Sequence, residues 1–304
     1  MVGIAVKPQD PGMTMSTHTA VSTIRPATPD DADACGRIFY DAFASIAERH
    51  RLPVEPASPE FTRFMAGRML GHDGYACFAC ERAGAVVGCA FVDERGPIAG
   101  VGPVVVDPAV QDDGVGRLMM EAALARSRSR GAAGIRLVQT AYHYRSLALY
   151  AKLGFVVREP LSVVQGTVPA VASPGVEVRP AGPDDVVACD ALCERVHGHE
   201  RSGELRDAIA DGTARVARRD GRLTGYATGF GYGWHAVAET NDDLIGLLGS
   251  AEAFMGLGVL VPARNATLLR WCLDRGLRIV QQSTLMTIGL YNEPAGPWLP
   301  SIAY

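Results

Sequence analysis

One stretch of this sequence occurs twice. Ile24-Arg-Pro-Ala-Thr-Pro-Asp-Asp-Ala-Asp-Ala-Cys35 returns as Val178-Arg-Pro-Ala-Gly-Pro-Asp-Asp-Val-Val-Ala-Cys189. Each copy reads as a short strand, a proline turn and a helix start with carboxylates in its first turn. A chain of 304 residues has room for two domains, so internal duplication is the simplest account. The match continues downstream. A hairpin around Gly84 pairs with one around Gly221, and the helix from His143 to Gly154 pairs with Asn265 to Gly276. The second copy is shorter in two places, between its first helix and its hairpin and again before its last helix. The expected division is a flexible tail over 1–22, a first domain over 23–162, a linker over 163–175 and a second domain over 176–304. The linker is a Val/Pro/Gly/Ala/Ser stretch without helical periodicity.

The most informative stretch of the first copy is residues 101–126. Val104, Val105 and Val106 are β-branched and apolar, a pattern for a strand buried on both faces. Pro108 stops that strand. Gln111-Asp112-Asp113-Gly114-Val115-Gly116-Arg117 then opens a helix whose apolar stripe is expected at Leu118, Ala122 and Ala125. A helix start leaves backbone N–H groups unpartnered and carries partial positive charge. Glycines let a ligand approach the backbone, so this geometry seats phosphates. A plain strand-to-helix turn fits the same residues. No Gly-Lys-Ser or Gly-Lys-Thr follows, which excludes a P-loop, and two glycines instead of three disfavour a dinucleotide fold.

After a second strand, Ile135 to Thr140, comes His143-Tyr-Arg-Ser-Leu-Ala-Leu-Tyr150-Ala-Lys-Leu-Gly154-Phe155. The ordered pair of motifs resembles the GNAT family of acyl-CoA N-acyltransferases over about residues 24 to 160. The resemblance implies two tandem α/β domains, each a mixed, mostly antiparallel twisted sheet flanked by helices. It implies that acetyl-CoA is the co-substrate and that no metal takes part. Its pyrophosphate would lie on Gln111, Asp112, Asp113, Gly114, Val115, Gly116 and Arg117. In the family a bulge splays the fourth strand from the fifth and the pantetheine arm pairs with the opened edge, here Val104, Val105 and Val106. His143, where the family has Asn, and Ser146 would complete the coenzyme contacts. Asp112 and Asp113 are unusual in such a turn and are expected to point to solvent. The second copy has no Gln-x-x-Gly-x-Gly, and Cys272 stands where Tyr150 stands, so it is expected to keep the scaffold without the coenzyme site.

Acyl transfer to an amine needs an acid for the departing thiolate and a route for the amine's proton. Tyr150 is the expected acid, since a phenol of pKa about 10 can protonate a thiolate whose thiol pKa is about 8.5. A core tyrosine beside Leu149 and Leu153 is the plain alternative. The base is expected at Glu94, with Asp93, Glu48, His50 and water as rivals. The expected activity is acetyl transfer from acetyl-CoA to a small-molecule or peptide amine by direct attack in a ternary complex. The alternative is a non-catalytic acyl-CoA-binding sensor or scaffold.

Composition narrows the partners. A net charge of −4 implies no nucleic-acid surface, and Arg126, Arg128 and Arg130 read as a solvated helix end. No apolar run approaches the roughly 18 residues of a membrane span. Seven cysteines are an odd count. Cys77 and Cys80, three apart on an expected strand, would face opposite ways and cannot easily share an ion. Buried free cysteines and a reducing, cytoplasmic compartment are therefore expected. The resemblance leaves a homodimer open, since members often pair through sheets or C-terminal strands. The proline-rich end, Leu290 to Tyr304, is expected to be an extended arm packed on a domain face or interface.

Overall fold

The computed structural model describes residues 21–52, 58–168 and 173–302. Most of the expected tail (up to residue 20) and residues 169–172 of the expected linker lie outside the described residues. The first half runs β1 (Ser22–Pro26), α1 (Ala32–His50), α2 (Pro59–Leu70), β2 (Tyr75–Arg82), β3 (Ala85–Asp93), β4 (Ile98–Val106), α3 (Val115–Ser129), β5 (Gly134–Thr140), α4 (Tyr144–Lys152) and β6 (Val156–Gln165). The second runs β7 (Glu177–Pro180), α5 (Val186–His197), α6 (Ser202–Ala210), β8 (Arg215–Arg219), β9 (Arg222–Ala227), β10 (Ala236–Ala238), α7 (Asn241–Gly249), β11 (Val259–Pro262), α8 (Ala266–Asp274), β12 (Arg278–Gly289) and β13 (Trp298–Leu299). Among the described residues no helix is long and apolar enough to cross a membrane.

The repeated sequence repeats a physical device. Arg25 forks onto both oxygens of Asp31, each at 2.8 Å, and Arg179 does the same to Asp185 at 2.7 Å. The carboxylate also accepts the backbone N–H of Thr28 or Gly182 and so caps the helix that follows. Arginine holds the Asp31 carboxyl down at about 2, against the desolvation that would raise it. The two hairpins match as well. Ala83-Gly84 and Asp220-Gly221 both take positive φ, the two-residue turn that suits the twist of paired strands.

The halves exchange strands. One sheet runs β1-β2-β3-β4-β5-β12-β6-β11, the other β13-β10-β9-β8-β7. β12 of the second half lies between β5 and β6, pairing Leu285 with Val138 on one side and Glu159 on the other. β6 in turn lies between β12 and β11. Strand β12 of the second half thus continues the sheet of the first, and β6 of the first half is flanked by two strands of the second. β6 extends to Gln165, so the first residues of the expected linker are strand. Val163 and Val164 are fully buried there. A strand covered on both faces shows no periodicity, which is why it passed for linker.

Helices α1 and α2 cover one face of the first sheet through Ile38, Ala66, Phe91 and Val105. Helix α3 covers the other through Val101, Met120, Leu124 and Leu137. Full burial of an Ile or Phe here contributes about 2 kcal/mol. Cys77 packs with the α1–α2 cluster and Cys80 with Val115 and Met119 of α3, on opposite faces of β2. The expected stripe of α3 is out of phase. Its buried residues are Val115, Met119, Met120, Ala123, Leu124 and Ser127, while Leu118 is 39% exposed. Ala, Leu and Met occupy most of the helix surface, so spacing alone did not fix its rotation. The face that packs on the sheet carries Met119, Met120, Ala123 and Leu124.

Candidate active site

β4 and β5 run parallel and pair only from Ile98 to Gly100 against Gly134 to Arg136. Beyond that point they separate. An extra residue on β4 between Val101 and Val104, opposite Ala90 to Val92, is the bulge that turns the strand away. The backbone edge of Val101–Val106 facing β5 therefore has no strand partner among the described residues. Val104 and Val106 pack toward α3, and Val105 packs under α1. Side chains hold the strand while its open edge stays available to an amide-bearing chain.

The gap leads to the first turn of α3. Gly114 precedes the helix at φ 84° and supplies no side-chain cap. Gln111 donates to the carbonyl of Val106 at 3.2 Å and ties the turn to the strand. A side chain at Gly116 would begin 3.7 Å from Val106 Cγ2 and 3.8 Å from Leu149, facing the gap. Asp112 and Asp113 are exposed, as expected. Each also has an arginine: Asp112 pairs with Arg145 at the start of α4, and Asp113 with Arg82 at 2.6 Å. Arg117 pairs with Glu121 along α3 at 2.9 Å.

Tyr150 projects from α4 into the α3-side cluster with Leu147, Leu149 and Phe155. Burial pushes its phenol up to about 12, so it is protonated at neutral pH. His143 sits just before α4 and is half-buried. Burial, then Arg145, Arg49 and His50, hold its imidazole below the usual range. Ser146 donates to the His143 carbonyl at 2.9 Å, and Gln139 donates to the same carbonyl at 2.9 Å. The hydroxyl of Ser146 is thus engaged in the turn itself.

Glu94, the expected base, sits in an ion pair. It is buried, and Arg126 of α3 holds both its oxygens, at 2.8 and 2.7 Å. Glu94 faces α3, while its neighbour Asp93 lines a cleft beside Ile98 and Gly100. A turn has no alternation from which this could be read. Arg126 lies at the exposed end of α3, with Arg128 and Arg130, and is at the same time the ion-pair partner of Glu94.

The cleft lies between the halves, shallow and open to solvent. The first half contributes Asp93, Arg95 and Gly100, next to the point where β4 and β5 part. The second contributes His199, Arg201 and Glu204. Arg95 binds Asp93 at 2.5 Å, Asp207 at 2.7 Å and the Tyr75 hydroxyl at 2.9 Å. Glu204 bonds Arg201 at 2.5 Å and His235 at 2.9 Å, and His235 meets the Tyr226 hydroxyl at 2.9 Å. Burial works to raise the Glu204 carboxyl, but Arg201 and His235 overcome it and hold it below the usual range. Burial holds His235 down, and with Arg136 takes His199 to about 4. Residues 197–204 were not singled out from the sequence. Two histidines, two glutamates and an arginine within eight positions at the end of a helix were the signal available.

The second half closes the same features. β13 pairs with β10 through Trp298–Val237 and Leu299–Ala236 and lies against β11. It occupies, between β10 and β11, the position that stays open between β4 and β5 in the first half. Thr240 caps α7 by accepting the N–H of Asp243, and the buried Asp243 carboxylate takes Thr224, Thr240 and Arg219. Asn265, the counterpart of His143, accepts the N–H of Leu268 and caps α8. Cys272 is fully buried.

Residues 39–155 match the model of the acetyltransferase (GNAT) family. The chain is 33% identical over 138 residues to a mycothiol acetyltransferase of Amycolatopsis mediterranei (strain U-32), which is 42% of this chain and 44% of that protein. It is 41% identical over 63 residues to a mycothiol acetyltransferase of Nocardia farcinica (strain IFM 10152), 21% of each. Each match thus spans less than half of the relative's length. A GCN5-related N-acetyltransferase structure from Sphaerobacter thermophilus superposes with a TM-score of 0.59 at 16% identity, over 90% of this chain and 96% of that one. A tandem GNAT protein from the clavulanic acid biosynthesis pathway superposes with a TM-score of 0.55 at 17% identity, over 91% and 99%. At these identities the structures speak to fold alone. Residues 39–155, which carry the two ordered motifs, are thus similar to the GNAT acetyltransferase family, and the chain shares its fold with a tandem protein along nearly its whole length.

Proposed function

We propose that this protein transfers an acetyl group from acetyl-CoA to an amine, by direct attack in a ternary complex. The observation that carries the reading is the contrast between halves. The first keeps an open strand edge leading to an uncapped helix start with Tyr150 beside the gap; the second has each feature filled or capped. One coenzyme per chain follows. The transferring unit is residues 23–162 completed by β12, and residues 176–304 form the supporting half.

The pantetheine amides pair with the edge of Val104–Val106, and the pyrophosphate lies on the turn Gln111–Arg117. The amine enters from the cleft at Gly100. Its lone pair attacks the thioester carbonyl carbon, the C–S bond breaks, and the thiolate takes a proton from Tyr150. The amine's proton leaves through water in the polar cleft, since Glu94 is committed to Arg126, and a proton from water restores the Tyr150 phenol as coenzyme A departs. The second half therefore walls the acceptor site with His199, Arg201 and Glu204.

Calorimetric titration with acetyl-CoA, of the native protein and of Gly116→Trp, tests this. One site per chain, lost in the variant, is expected, followed by acetylation in a screen of small amines and peptides. Binding without turnover in that screen would favour an acyl-CoA sensor. No binding by a folded native protein would end the coenzyme reading.

A further inference from the structure

The aspartates in the phosphate turn pose a charge problem. The coenzyme brings a pyrophosphate and a 3′-phosphate, and a helix start offers only about half a positive charge. Asp112 and Asp113 nevertheless stand at the entrance, each with its own arginine. The two pairs are built differently. Arg82 is nearly buried, with 13% of its side chain exposed, and is braced by Ser22 at 3.0 Å, so it holds Asp113 in place. Arg145 and Asp112 are both on the surface, with 46% and 74% of their side chains exposed. Exposed pairs of this kind are weak and exchange readily, whereas a guanidinium fork on a phosphate makes two parallel, charge-assisted bonds. Asp112 sits at φ 78° at the turn. Arg145 occupies the first turn of α4, directly across the mouth from the first turn of α3.

We infer that Arg145 is a phosphate ligand of the coenzyme, held on Asp112 while the site is empty and passed to a phosphate when the coenzyme binds. This rests on the coenzyme reading above. In the free protein the pair keeps the entrance near neutral. In the complex Asp112 turns to water and Arg145 bridges α4 to the ligand, closing the mouth of the gap. Asp112 therefore weakens binding and Arg145 strengthens it, although the two form one ion pair.

The test is a double-mutant cycle on the full chain, with coenzyme A titrated into native protein, D112N, R145Q and D112N/R145Q, thermal melting being the check that all are folded. D112N should bind about threefold tighter and R145Q about tenfold weaker. The double variant decides the matter, because its net charge equals that of the native chain. If Arg145 bonds a phosphate, the double variant stays at least fivefold weaker than native. Native-like binding by the double variant would overturn the inference, reducing Arg145 to a neutraliser of Asp112. So would an R145Q protein with unchanged affinity. Dephospho-coenzyme A, lacking the 3′-phosphate, locates the contact. An undiminished R145Q effect assigns the pyrophosphate, and a lost effect assigns the 3′-phosphate. Failure of the native protein to bind at all would overturn the coenzyme reading itself, an outcome that no variant in the cycle can mimic.

Discussion

Acid should unfold this protein early, and the reason lies where the halves meet. His199 is 6% exposed and faces Arg136 on β5, Arg201 before α6, and the rings of His197 and His235; its Nδ1 lies 3.1 Å from the Glu200 carbonyl. Burial, followed by the charge of Arg136, takes its imidazole from the ordinary 6.5 to about 4. The gap corresponds to about 3 kcal/mol between protonation states. The sign follows from linkage: the unfolded chain takes up the proton first as pH falls. Stability is therefore fully present above about pH 6.5 and is lost progressively as pH drops to about 4. His197 and His235 are held down by burial too and act in the same direction. Each titrating histidine tilts stability by about 1.4 kcal/mol per pH unit, so three together tilt it by about 4. Against a typical total of about 5–15 kcal/mol, that is enough to unfold the chain before pH 4.

Urea denaturation followed by circular dichroism, in steps from pH 7.5 to 4.5, measures this directly. Native protein should lose stability steeply below about pH 6.5. His199→Asn, which keeps a neutral donor but cannot ionise, should flatten the slope by about 1.4 kcal/mol per unit. A native stability constant between pH 7 and 5 would refute the reasoning, because it would mean that these imidazoles reach water and ionise freely in the folded state.

Other substitutions separate the catalytic from the supporting groups. Tyr150→Phe should lower kcat about a hundredfold at neutral pH and leave the affinity for acetyl-CoA within twofold, read by steady-state kinetics beside calorimetry. Glu94→Gln should retain at least a third of native kcat while losing about 1–2 kcal/mol in urea denaturation, since it loosens a largely surface-facing Arg126 pair and touches no reacting atom. Trp298→Ala should cost about 3–5 kcal/mol by emptying the packed gap of the second half, and titration should still find one coenzyme per chain because α7 remains capped by Thr240.

Much of the first half was legible because its signals are local. Strand, turn and helix around Gly114 and Gly116 follow from residue type, and the repeated Arg-Pro-Ala segment encodes an Arg–Asp fork that each half uses to start its first helix. The second half's losses were legible too: α5 and α6 are shorter than α1 and α2, and the phosphate turn is gone. The phase of α3 was not, because apolar residues sit on neighbouring faces of the helix and size does not sort them: Ala123 is fully buried while Leu118 is 39% exposed.

The strand exchange was illegible for a deeper reason. A strand's sequence states how many of its faces are buried but not which neighbour supplies its hydrogen bonds. β6 and β12 would carry the same buried residues whether each closed its own sheet or the other's. The consequences for function come from that unreadable choice. Because β12 lies against β5, the second half is fastened beside the opening between β4 and β5, and the loop after α5 reaches Gly100. Arg95 then finds Asp207, His72 finds Asp207 at 3.2 Å, and Arg68 finds Asp211 at 2.9 Å, all between halves. A half that has capped its own helix start and filled its own gap is thereby set to shape the acceptor side of its partner. In a duplicated chain whose strands are exchanged, losing a site does not remove a domain from the chemistry. In the reaction we propose, the domain's part is to select what reaches the coenzyme instead of binding it.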